Sequence, residues 1–206
     1  MTRRFFVPAF CTKGQSAFSL LELLLTMAII LILFTLYWGP SRASRQRALQ
    51  ANCQKNLQQL YIALNLYADD QRGRFPVVPG AKTSAEALNP LVPRYTSDTS
   101  IFICPGSSDA APPSGEPIRT RRISYAYYMG NSPTNQQALM SDRQVNTEAK
   151  DVGEVIFSTD GKPPGNNHRQ YGGNVMYCDG HVQLSGPTAK ASLPLPAGVV
   201  LLNPKP

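Results

Sequence analysis

The stretch 18-FSLLELLLTMAIILILFTLYW-38 decides the fold. It holds 21 residues and a single formal charge, Glu22. At about 1.5 Å of rise per residue, a helix of this length spans about 30 Å, the hydrocarbon thickness of a bilayer. The run is too long and too apolar for a half-exposed helix. Residues 1–17 precede it and carry Arg3, Arg4 and Lys13 with no acid. Basic residues on that side place the leader in the cytoplasm and the remainder on the opposite side of the membrane. Glu22 is the anomaly. A carboxylate within an apolar span costs about 2.5 kcal/mol or more, and such residues are usually functional or paired.

Outward from this run, Pro40 follows Gly39 and is expected to kink or end the helix. Beyond it, Ser41–Asp70 reads as helix. Leu49, Cys53, Leu57, Leu60, Tyr61, Leu64 and Ala68 recur at three- and four-residue steps and form one stripe. Gln46, Gln50, Lys55, Asn56, Gln59 and Asn65 take the other faces. The reading is one long helix, apolar all round in its inner half and apolar on one face in its outer half. Gly73 and Pro76 stop it.

The order of the N-terminal parts resembles a type IV prepilin or a type II secretion pseudopilin. AFSLLE supplies a small residue, Ala17, before a mature Phe18, and Glu22 as the fifth mature residue. The family usually has Gly where Ala17 stands. The resemblance implies cutting between Ala17 and Phe18 by a prepilin peptidase, N-methylation of Phe18, and a part for Glu22 in assembly. It also makes Pro40 a helix kink. An ordinary cleaved signal peptide fits less well. The apolar run exceeds the usual 7–15 residues or so, and no A-x-A site follows. An uncleaved signal anchor competes more seriously.

The expected organisation is a leader (1–17), a transmembrane helix (18–38), its amphipathic continuation (39–71), a β-rich head (72–184) and a Pro-rich tail (185–206). The fold class is α+β and pilin-like, with a long N-terminal helix packed on a small antiparallel sheet. The 18 prolines and 15 glycines argue for a loop-rich head over a bundle. Within it, Ser84–Leu88 reads as a short helical patch. Ser100–Cys104, Ile123–Met129 and Val155–Ser158 read as strands, and Asn131–Gln144 is ambiguous. In NVMYCDGHVQL, Asp179-Gly180 between two β-rich runs predicts a two-residue type I′ hairpin. That register sets Cys178 opposite His181 and Tyr177 opposite Val182. It puts Val175, Tyr177, Val182 and Leu184 on the face toward the helix. The segment resembles a family of bacterial prepilin-like proteins whose signature is His, nine residues, then Asp-Gly. Here ten residues separate His168 from Asp179. YADD, the Cys104-Pro105 pair and SYAYYMG fit the same family.

The formal charge is +7, of which the leader's Arg3, Arg4 and Lys13 carry three, leaving +4. So small and scattered an excess reads as headgroup-facing and solvated charge, with no nucleic-acid partner. Four cysteines occur, and Cys11 leaves with the leader. Cys104 and Cys178 each end a β-rich run and are the expected disulfide, with Cys53 left as a small core residue on the helix stripe. His168, Asp179 and His181 are candidate ligands for a divalent cation, although no cofactor is otherwise implied. No G-x-S-x-G, HExxH or P-loop is present, and no enzymatic activity is expected. The expected function is a structural subunit of a type II secretion pseudopilus or type IV pilus-like filament. Its partners would be prepilin peptidase, other pilin-like subunits and the membrane assembly machinery. The rival is a membrane-anchored extracytoplasmic enzyme or a ligand- or metal-binding domain on a prepilin-like anchor.

Overall fold

The structure is a computed structural model that describes residues 19–37, 42–134 and 136–205. Ala17, Phe18 and Pro40 lie outside the described residues. The chain divides into two units, Met1–Pro40 and Ser41–Pro206.

In the first unit, helix α1 spans Leu20–Tyr37. Its first turn opens on the Ser19 carbonyl, which accepts from the amides of Glu22 at 3.0 Å and Leu23 at 3.1 Å. Thr26 and Thr35 turn their hydroxyls back onto the carbonyls of Leu23 (2.9 Å) and Ile32 (2.8 Å). Both hydroxyls thereby find acceptors within the helix, as an apolar surrounding demands.

The second unit starts with helix α2, Arg42–Asp70. Cys53, Leu57, Leu60, Ala63, Leu64 and Ala68 of α2 are buried in one core cluster. The helix ends as Gly73 N–H reaches the Ala68 carbonyl at 2.8 Å, with Arg72 itself in the left-handed region (φ 56°). A short helix α3, Ser84–Leu88, is capped by Thr83, whose hydroxyl accepts from Glu86 N.

Five strands follow: β1 Tyr125–Met129, β2 Ala138–Asp142, β3 Gly173–Tyr177, β4 Val182–Ser185 and β5 Val200–Leu202. They form one antiparallel sheet in the order β4-β3-β2-β1-β5. Alternation along the strands divides the core in two. Tyr125, Tyr127, Met140, Met176 and Leu202 pack with the α2 stripe. Ala126, Tyr128, Val175 and Leu201 pack on the other side with Ile156, Phe157, Ala189 and Leu193.

Several expectations are corrected here. Ser100–Cys104 is no strand; Thr99–Phe102 winds into a 3₁₀ turn. Asp98 accepts from both the amide (2.9 Å) and the hydroxyl (2.6 Å) of Ser100. That local capping outweighs the β preference of the apolar residues. Val155–Ser158 makes only an isolated bridge, Val155 to Thr188. The amides of Ile156 and Phe157 both use the Pro187 carbonyl, at 2.9 and 3.0 Å. The Pro-rich tail, expected without a strand of its own, supplies one: β5 pairs with β1, and Leu201 and Leu202 are buried.

The β3–β4 hairpin is shifted by one residue. Met176 faces Val182 and Val175 faces Gln183. Tyr177 N–H donates to the His181 carbonyl, and Gly180 N–H donates to that of Tyr177. Cys178-Asp179-Gly180 is therefore a three-residue loop in which Gly180, not Asp179, carries the positive φ of 86°. The shift moves Val175 and Tyr177 to the face away from α2 and gives Met176 to the helix side, where Val182 stands as expected.

Candidate functional site

Glu22 stands in the first turn of α1, where a carboxylate is favoured by the unpaired N–H groups and the helix dipole. Its side chain is exposed, as are all the described side chains of α1 from Leu20 to Thr35. A helix apolar on every face cannot rest in water; it needs lipid or neighbouring helices. Among the described residues, no helix is long and apolar enough to cross a membrane. The 18 residues of α1 rise about 27 Å, short of the roughly 30 Å of hydrocarbon. The expected span 18–38 has both ends outside the described residues.

A second constellation lies inside the head. Cys53 comes from the middle of α2. Cys104 follows the 3₁₀ turn, Asp142 ends β2, and His168 lies on the loop before β3. All four are buried, and one ligand-type atom from each lies within 4.8 Å of the others. Cys53 and Cys104 form a disulfide with Cα atoms 5.2 Å apart. This corrects the expected Cys104–Cys178 pair: Cys178 is a free, buried thiol. Cys53 faces the 3₁₀ segment because α2 is fixed there by a second contact, Asn56 Nδ2 to the Ile103 carbonyl at 2.9 Å.

His168 Nε2 lies 3.2 Å from Cys104 Sγ and 3.4 Å from Asp142 Oδ2. The carboxylate is held on both oxygens. Asn167 Nδ2 donates to Oδ1 at 2.9 Å; Asn174 donates to Oδ2 from its backbone N (2.8 Å) and its Nδ2 (3.2 Å). Asn174 Nδ2 also reaches the Gln50 carbonyl of α2 at 3.0 Å. Gly106 must lack a side chain, since a Cβ would come within 2.5 Å of His168 Nδ1. The three groups are not a Cys–His–carboxylate relay. In a relay the thiol and the carboxylate meet opposite ring nitrogens. Here one nitrogen faces both, and Nδ1 has no protein partner.

The expected cation trio is not assembled. His168 belongs to the buried cluster, whereas Asp179 and His181 pair with each other on the exposed hairpin loop, Oδ1 to Nδ1 at 2.9 Å. His181 stacks on Tyr177, with centroids 4.4 Å apart. Asp179 Oδ1 also accepts from the His181 amide, and these contacts hold its carboxyl below the usual range. Cys178 does not face His181. Its thiol is pushed up to about 11 by burial, which suits a core residue and not a nucleophile. Gly180 has a packing role: Tyr61 of α2 lies where its Cβ would be, 2.5 Å away, and Tyr61 OH donates to the Cys178 carbonyl at 3.0 Å. Cys53 and Asp142 were absent from the sequence-based site. Asp142 lay in the ambiguous 131–144 segment, and Cys53 read as ordinary core.

The family described as the prokaryotic N-terminal methylation motif matches residues 12–37. No curated protein and no solved structure matches the chain. The matched segment brackets Ala17, Phe18 and Glu22, and behind it stands an α+β head of helix and five-stranded antiparallel sheet. With that motif on that α+β fold, the chain is similar to type IV prepilins and pseudopilins.

Proposed function

We propose that the chain is a structural, non-enzymatic subunit of a type II secretion pseudopilus or type IV pilus-like filament. Prepilin peptidase cuts between Ala17 and Phe18, and the new amino terminus is methylated. The leader faces the cytoplasm, and the head faces the periplasm or the exterior. The apolar helix is held in the inner membrane, then among the same helices of neighbouring subunits in the filament. The observation that carries this reading is the methylation motif at residues 12–37, with its single acid on an otherwise apolar helix.

Glu22 lies four residues after the new terminus. In a monomer it is a charge in apolar surroundings; in a filament a neighbour's positive N-terminus can stand beside it. Opposite charges attract strongly at low dielectric. Removing one partner strands the other, at about 3–5 kcal/mol. The pairing would also fix the axial step between subunits. Glu22→Ala is expected to enter the membrane and fold its head normally, yet to be depleted from sheared fibres, with Glu22→Asp intermediate. The membrane pool serves as control. Normal assembly of the Ala variant would contradict the proposal.

A further inference from the structure

The buried cluster has the composition and spacing of a closed metal centre. In a tetrahedral site with bonds of about 2.0–2.3 Å, ligand atoms lie roughly 3.3–3.8 Å apart. His168 Nε2 already stands 3.2 Å from Cys104 Sγ and 3.4 Å from Asp142 Oδ2. One ring nitrogen facing a sulfur and an oxygen together describes convergence on a shared point. Cys53 Sγ completes the set of four. The carboxylate is pre-oriented by Asn167 and Asn174, as ligating carboxylates are. One nitrogen, two sulfurs and one oxygen suit zinc-class ions; calcium would want oxygen throughout.

We propose that the dithiol form of the chain binds one zinc-class divalent ion through Cys53, Cys104, Asp142 and His168, in place of the disulfide. Metal and disulfide are alternative closures of one point, and each ties α2 to the segment before Pro105. The dithiol is the form in which the chain is synthesised. Exchange with a protein disulfide then moves two electrons from the two thiolates to that disulfide. It leaves as two thiols after taking up two protons, and the ion departs as the dication.

The test uses the full chain in detergent under a phosphine reductant, titrated with Co²⁺ and followed by absorption and circular dichroism. The expected result is a thiolate-to-cobalt charge-transfer band with tetrahedral visible bands, saturating at one ion per chain and abolished by Zn²⁺. The oxidised chain should show neither. If the dithiol chain needs the ion to fold, ellipticity should recover with the same one-to-one end point. Zinc should also slow alkylation of Cys53 and Cys104 at least tenfold, without changing that of Cys178. A dithiol chain that gives neither cobalt bands nor recovered ellipticity overturns the proposal. So do unchanged bands in Cys104→Ser, which would place the ion elsewhere.

Discussion

At Gly180 a turn and a packing contact coincide. The residue needs a positive φ, and the Tyr61 ring occupies the space a side chain would take. Gly180→Ala therefore meets both backbone strain and overpacking, and is expected to destabilise the head by about 2–4 kcal/mol in denaturant unfolding. In a Tyr61→Leu background the cost should fall, leaving chiefly the φ penalty; an unchanged cost would remove Tyr61 from the explanation. Two residues earlier, the Cys178 thiol titrates near 11 instead of 9, because burial disfavours the thiolate. At pH 8 its thiolate fraction is about 100-fold below that of an ordinary thiol. Alkylation of Cys178 in the native chain should be at least that much slower than in urea. The sign for stability follows from the raised folded value. The contribution is full below pH 9 and is lost as pH climbs from 9 through 11. Rapid labelling of native Cys178 at pH 8 would contradict its placement.

Among the elements, the Cys53–Cys104 bond joins the middle of α2 to the segment after the 3₁₀ turn, 51 residues away in sequence. On the chain-entropy account a loop of that size contributes about 4 kcal/mol. Cys53→Ala with Cys104→Ala should lower unfolding stability by up to that amount in metal-free buffer, whereas Cys178→Ala should leave the bond intact. Non-reducing peptide mapping should recover the Cys53–Cys104 peptide; a Cys104–Cys178 peptide would refute the placement. Strand β5 is the other test at this scale. Leu201 and Leu202 are buried on opposite faces of the sheet. Asn203 accepts from Gln144 N through Oδ1 (3.1 Å) and donates to the Gln144 carbonyl (3.1 Å); its own carbonyl accepts from Ser84 N (3.1 Å). Truncation after Leu195 uncovers β1 and cuts these ties, so the head should lose its cooperative thermal transition. An unaltered melt would mean the tail is dispensable.

For the whole molecule, the sequence spoke clearly wherever a signal was local and repeated. The apolar run, Glu22 and the small residue before Phe18 carry the prepilin resemblance on their own. The three- and four-residue spacing of Cys53, Leu57, Leu60 and Leu64 gives the buried stripe of α2. The head was less legible because its order depends on distant partners. Asp98 capping turned SIFIC into a 3₁₀ turn. The Tyr61 contact and a three-residue loop moved the hairpin by one position, and that slip exchanged the faces of Val175 and Met176. Asp142, His168 and the two cysteines come from four separate segments, and no spacing rule joins them. The central claim, that the chain is made as a prepilin and matured at Phe18, is tested most directly by intact-mass and N-terminal analysis of the membrane-fraction protein in cells with active prepilin peptidase. The expected mass lacks residues 1–17 and carries one added methyl group at Phe18. A full-length chain, or a cut at any other bond, would contradict the account.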